Sequence, residues 1–148
     1  MASVSAHPAP RTFSIGNLAY GIAGGLVGGL AFGILMQMMG MIPMIAMLVG
    51  SESIVMGWLV HLFNSALFGA IFAVLVGRLA VDWGKAVGLG LAYGVLWWIL
   101  GGLLIMPAWL GMGVFVFNTT AWQSLMGHLI YGLLLGLVFA ALARRQTK

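Results

Sequence analysis

Val60-His61-Leu62-Phe63-Asn64-Ser65-Ala66-Leu67-Phe68-Gly69-Ala70-Ile71-Phe72-Ala73-Val74-Leu75-Val76-Gly77-Arg78 is answered, sixty-seven positions later, by Gly127-His128-Leu129-Ile130-Tyr131-Gly132-Leu133-Leu134-Leu135-Gly136-Leu137-Val138-Phe139-Ala140-Ala141-Leu142-Ala143-Arg144-Arg145. His, Leu, Leu, Gly, Phe, Ala, Leu and Arg recur in the same order without a gap. The pairing reads as a tandem repeat with one histidine inside an apolar helix in each half.

The surroundings of that repeat set the class. Of the 148 residues 63% are hydrophobic and 5% charged, with a mean hydropathy of +1.15, whereas a soluble surface needs about a quarter charged residues. The apolar runs reach the length, about 20 residues, that a helix needs to cross a bilayer, and polar-apolar alternation is too weak for a lipid-facing barrel strand. Four spans emerge, near Ile15 to Gly40, Ser53 to Gly77, Val87 to Met106 and Thr120 to Ala143. The expected fold is an all-α integral membrane protein, a four-helix bundle built from two helix-connector-helix units, residues 15–78 and 87–143. These are flanked by a polar arm (1–14), a middle loop (79–86) and a basic tail (144–148).

Charge fixes the expected orientation. Arg11, Arg78, Lys85, Arg144, Arg145 and Lys148 all lie before span 1, between spans 2 and 3, or after span 4. The positive-inside rule then puts both termini and the middle loop in the cytoplasm, in a multi-pass protein of the cell inner (cytoplasmic) membrane. The net charge of +4 is accordingly read as topology and lipid attraction, with no nucleic-acid partner. The arm carries Pro8, Pro10 and Arg11 and does not read as a signal peptide. An even number of crossings per unit gives both halves the same orientation and permits a pseudo-twofold along the membrane normal.

Between the spans of each unit lies a proline-bearing connector, around Pro43 and around Pro107, read as a kinked, interfacial or re-entrant piece. Ser51 or Ser53 is the expected N-cap of span 2, and Thr119 or Thr120 that of span 4. Trp83 reads as an interfacial anchor, and Asp82 as a local partner of Arg78 or Lys85.

Small residues at spacing four mark the faces meant for close contact. Gly21, Gly25, Gly29 and Gly33 line span 1, with Gln37 at the next step; Gly69 extends the His61-Ser65 stripe; Gly132 and Gly136 follow His128. A backbone without side chains lets another helix approach closely. Asn64, Ser65, Gln123 and Ser124, with Gln37, are expected to form a small polar cluster around the histidines. The opposite, cytoplasmic halves of the spans offer only glycine, alanine and large apolar side chains, which argues against a continuous pore in one protomer.

Two readings of His61 and His128 follow. In the first, placed ahead, the chain is a non-catalytic accessory or structural subunit. Its glycine-rich faces pack within the bundle and against copies or other membrane subunits, and the histidines tie helices together. In the second, the two imidazoles are axial ligands of haem b or a chlorin, with electron transfer as the associated role. A third, weaker reading is transport of a small solute or of copper by an oligomer. Thioethers such as Met44 and Met47 suit Cu(I), although methionine is also an ordinary gap-filler and the second half has few at matching positions. Cysteine is absent, two histidines do not make a zinc centre, and no Walker, dinucleotide, GxSxG or HExxH motif occurs.

Overall fold

The computed structural model describes residues 15–80 and 82–145. The N-terminal arm, with Arg11, and Lys148 lie outside the described residues. Among the described residues every regular element is a helix: α1 (Ile15–Met38), α2 (Ile42–Met47), α3 (Ile54–Val76), α4 (Trp83–Trp97), a π-helical segment (Trp98–Ile105), α5 (Met106–Trp109) and α6 (Thr119–Arg145). Among the described residues four stretches are long and apolar enough to cross a membrane: Gly16–Met38, Ile54–Val76, Trp83–Trp109 and Thr119–Arg145, of 23 to 27 residues. At about 1.5 Å per residue the shortest exceeds the roughly 30 Å hydrocarbon thickness. The protein is a small multi-pass membrane protein with an all-α bundle.

Side-chain size decides which face of each helix turns inward. The buried stripe of α3 contains Gly57, His61, Ser65, Gly69 and Ala73, while Val55, Leu59, Phe63, Leu67 and Val74 face outward. In lipid there is no gain in hiding leucine, so close backbone contact directs the packing. Helix α1 packs on α3 with one face and on α6 with another, and α6 packs on α4. A Cβ built on Gly21 would collide with the Gly69 carbonyl oxygen, and one on Gly25 with that of Ser65. On the other face of α1, Cβ atoms on Gly24 and Gly28 would fall 2.9 and 2.6 Å from the carbonyl oxygens of Leu135 and Tyr131. Helices α4 and α6 meet in the same way, Gly90 against Gly132 and Gly136 against Ala86.

The seam between α3 and α4 is different. Their backbones stay apart, and aromatic rings fill the gap: Phe68 stacks on Trp97 with centroids 3.9 Å apart, and Phe72 meets Tyr93 edge-on at 5.3 Å. The Tyr93 hydroxyl donates to the Phe68 carbonyl at 2.7 Å. The bundle is therefore tight around α1 and α6 and aromatic-filled on the remaining side.

The two proline connectors differ for a local reason. After α1, Gly40 takes a φ of +70°, which breaks the chain and lets α2 start afresh with Pro43 in its first turn. Pro107 follows no such break, and the third span runs on through the π-helical segment to Trp109. Just before the proline the bonds reach five residues back, Met106 N–H donating to the Gly101 carbonyl, and Pro107, without an N–H, cannot continue the series. The Leu103 carbonyl accepts from the Phe115 N–H at 2.9 Å. Among the described residues Phe115 is the non-glycine residue with positive φ, +52°, a strained conformation sustained where it makes that bond.

Caps also depart in part from expectation. Ser53 caps α3, its hydroxyl accepting from Met56 N at a long 3.5 Å, and Ser51 in turn accepts from Ser53 N at 3.1 Å. The cap of α6 is Asn118, which accepts from Ala121 N at 2.9 Å. The amide oxygen of Asn118 reaches the first turn, so Thr119 and Thr120 become helical or cavity-lining residues instead. Asp82 spends one carboxylate oxygen on capping α4, accepting from Gly84 N and Lys85 N at 3.1 and 3.3 Å. Trp83 at the start of α4 is covered by the Arg144 guanidinium, 5.7 Å from its ring centroid.

Candidate functional site

A cavity of about 430 Å³ lies at the connector end of the bundle. Its walls come from every element except α4's first turns: Phe32 and Met36 on α1, Met44 on α2, His61 and Ser65 on α3, Gly102 on the π-helical segment, and Ser124 and His128 on α6. Met112 and Val116 form part of its edge and are about half exposed, at 51% each. The cavity thus reaches the surface beside the connector loops. Toward the arginine-bearing ends the lining stops at Ser65, Phe68 and Tyr131. Beyond them Phe72, Leu135 and Phe139 are fully buried, and the Phe72 and Phe139 rings meet edge-on at 5.8 Å. The cavity is a blind recess.

Each histidine has one nitrogen committed to a backbone carbonyl. His61 is buried, and its Nε2 lies 2.7 Å from the Gly29 carbonyl oxygen. A carbonyl can only accept, so Nε2 carries the hydrogen and Nδ1 of the neutral ring carries a lone pair. A Cβ on Gly33 would sit 3.0 Å from His61 Cδ2, so the Nε2–Cδ2 edge rests on α1 and Nδ1 faces away from it. In His128 the roles of the nitrogens are exchanged: Nδ1 lies 2.8 Å from the Ser124 carbonyl oxygen and 3.3 Å from its hydroxyl. Nδ1–H donates, and Nε2 holds the lone pair. The absence of a side chain at Gly29 and Gly33 is what lets an imidazole lie against α1.

Phe32 joins the two. Its ring meets His61 edge-on at 5.5 Å and His128 at 4.9 Å between centroids, so the imidazoles are separated by no more than these two distances laid end to end. A second layer of bonds fixes the floor. The Ser65 hydroxyl donates to the His61 carbonyl at 2.7 Å, and the Tyr131 hydroxyl donates to the Ser65 carbonyl at 2.8 Å. Tyr131 thereby ties α6 to α3. Trp97, whose ring lines the cavity, has a buried Nε1 that makes no well-aligned hydrogen bond.

The polar residues named from the sequence divide in two. Asn64, Ser65 and Ser124 line the cavity with the histidines. Gln37 and Gln123 are not among its walls; Gln37 is exposed, and its side-chain oxygen accepts from Trp58 Nε1 at 3.1 Å. Phe32, Trp97 and Tyr131 went unnoticed as site residues. A signal for Phe32 existed: Gly24, Gly28, Phe32 and Met36 recur at spacing four, and the first two touch α6. Met44 lines the cavity, whereas Met47 is 44% exposed and does not. Among the described residues no three His, Asp or Glu side chains gather where they would hold a metal ion.

Comparison of the chain with models of protein families, with curated proteins and with solved structures finds no match. The class, a small multi-pass all-α membrane protein, rests on the four spans, and the reading of its function rests on the cavity.

Proposed function

We propose that this protein binds one small ligand in the connector-end cavity, against His61 and His128. A single observation carries the reading: both imidazoles have their N–H committed to a carbonyl, which leaves two lone pairs beside a recess of about 430 Å³. Such a volume is within the roughly 300–1,000 Å³ of small-molecule sites. The ligand class follows from the lone pairs. Two acceptors side by side in the recess suit an electron-pair acceptor, meaning a metal centre or a strong hydrogen-bond donor.

Haem b or a chlorin held by both imidazoles is a narrower form of this reading. Donation of the second ring nitrogen to a carbonyl is the usual support for a metal-ligating histidine. To be ligated from both sides the macrocycle would have to end the contact that Phe32 makes with both rings. Transport through one protomer is not supported, because Phe72, Leu135 and Phe139 fill the bundle beyond the recess. As for an accessory subunit, Gly21, Gly25, Gly29, Gly33, Gly69, Gly132 and Gly136 all face other helices of the same chain. Docking to copies or other subunits would therefore use large outward side chains such as Leu59 and Phe63.

Two further parts of the reading concern symmetry and orientation. The halves are a tandem repeat: a Cβ at Gly25 would meet the Ser65 carbonyl and one at Gly90 the Gly132 carbonyl, and Ser65 and Gly132 correspond in the His-centred alignment. The pseudo-twofold is strained where α1 packs tightly on α6 but α3 and α4 meet through aromatic rings. By the positive-inside rule Arg78, Lys85, Arg144 and Arg145 belong in the cytoplasm of an inner-membrane protein, with the mouth of the cavity on the opposite side.

The test is extraction from the native membrane followed by absorption spectroscopy, metal analysis and mass spectrometry, with Gly102→Leu as comparison. A Cβ at Gly102 would lie 3.6 Å from His128 Cε1 and 3.2 Å from Ser124 Oγ, so leucine there fills the recess. The expected result is a ligand that accompanies the natural chain and is missing from the variant; a Soret band would make it a tetrapyrrole. No difference in bound ligand between the two proteins, with both folded by circular dichroism, refutes the proposal.

A further inference from the structure

The geometry points to a soft monovalent metal ion, Cu(I), as the ligand of the recess, an inference that rests on the recess being a ligand site. Five of the chain's eleven methionines line it: Met36, Met41, Met44, Met106 and Met112. They arrive from different parts of the chain. Met36 ends the glycine-rich face of α1, Met41 and Met44 belong to the first connector, and Met106 and Met112 to the second. Sixty-seven positions on, Met41 and Met44 are answered by Ala108 and Gly111, and Met112 answers Ile45, which is why alignment of the halves hides the cluster. Of the methionines outside the recess, Met38 at 78% exposure and Met126 at 44% face outward, whereas Met39 packs against the core.

Donor chemistry selects the ion. Thioether sulfur is a soft, neutral donor and imidazole a neutral donor of intermediate character, the combination that suits Cu(I) over hard divalent ions. Charge selects it a second time. No carboxylate lines the recess and the chain has no cysteine, so the donors supply no negative charge to offset that of the ion. The cost of bringing an ion out of water rises with the square of its charge, which makes a divalent ion four times as expensive as a monovalent one in the same neutral site. His61 Nδ1 and His128 Nε2 provide the lone pairs, and Met44 and Met106 stand on the two connector helices that flank the mouth. The recess beneath them is lined mostly by apolar groups, with Asn64, Ser65 and Ser124 among them. No redox step is involved; the ion binds and leaves as Cu(I).

The experiment is anaerobic Cu(I) titration of the detergent-purified full chain against a chromophoric Cu(I) chelator, with X-ray absorption at the copper edge. Met44→Leu and Met106→Leu keep the apolar volume, and Met38→Leu and Met126→Leu serve as controls outside the recess. One Cu(I) per protomer is expected, with both sulfur and nitrogen scatterers. Affinity should fall at least about tenfold in each recess variant, further in the double variant, and not in the controls. Zn(II) in equal amount should not displace the ion. Absent Cu(I) uptake, or uptake equal in the double variant and the natural chain, overturns the inference, as does displacement by Zn(II). If Cu(I) fails while another ligand accompanies the chain and is lost in Gly102→Leu, copper is wrong and the ligand-binding reading stands; if neither is found, both fall.

Discussion

Replacing Gly69 with alanine adds one carbon at the crossing of α1 and α3, and the structure says where it goes. The new Cβ would collide with the Gly21 carbonyl oxygen and lie 2.9 Å from Gly25 Cα, against an ordinary contact that begins near 3.4 Å. Both obstacles are backbone, so no side-chain rotation relieves them, and the helices must part by about 0.5 Å or more, the shortfall between those two values. Overpacking of this kind costs about 1–3 kcal/mol. The same separation stretches the His61–Gly29 hydrogen bond, worth about 0.6 kcal/mol on average within membranes. Up to about 1 kcal/mol returns because alanine is the better helix former. The net expectation is a loss of about 2 kcal/mol. Gly88→Ala is the matched control, since its Cβ would meet nothing within 4 Å; it should be neutral or slightly stabilising. Equilibrium unfolding in mixed micelles of mild detergent and dodecyl sulfate, followed by circular dichroism, measures both. If Gly69→Ala costs no more than Gly88→Ala, close backbone contact does not hold α1 to α3 and the account of the packing is wrong.

Two other outcomes are expected. Asp82→Ala removes the oxygen that caps α4 at Gly84 N and Lys85 N and should cost about 1 kcal/mol in the same unfolding assay; an unchanged midpoint would mean that water replaces the cap at no loss. Because the chain has no native cysteine, single cysteines at Ser51 and Arg78 report orientation: an impermeant maleimide added outside intact cells should label the first and spare the second, and the reverse pattern would invert the proposed topology.

The four spans were legible in the sequence because length and apolarity suffice to define them, and Ser53 was legible as a cap because its hydroxyl serves its own helix. The course of the third span was not. Whether Pro107 ends a helix depends on how the backbone around it is held, and one bond that holds it, from the Phe115 N–H to the Leu103 carbonyl, is fixed by a loop conformation. The site was half legible for a similar reason. His61, Asn64, Ser65, Ser124 and His128 share helix faces that spacing reveals, so their convergence could be read in advance. A cavity, however, is defined by what fails to fill it, and that depends on how α2 and the 110–118 loop fold over the helix ends. Gln37 shows the converse: register alone aimed it at a protein neighbour, and Trp58, one residue type able to donate from a large ring, met it at the periphery.

The closed floor formed by Phe72, Leu135 and Phe139 has a kinetic corollary. With a single mouth, entry and exit follow one path in opposite directions, and an obstacle at the rim raises both barriers equally. Enlarging the side chain at Val116, or stiffening the loop that carries it, would lengthen the residence time of an occupant and slow its capture by the same factor, leaving the dissociation constant where the imidazoles and the walls set it. Affinity and exchange rate are thus assigned to different residues, the first to the depth of the recess and the second to the connector loops at its edge.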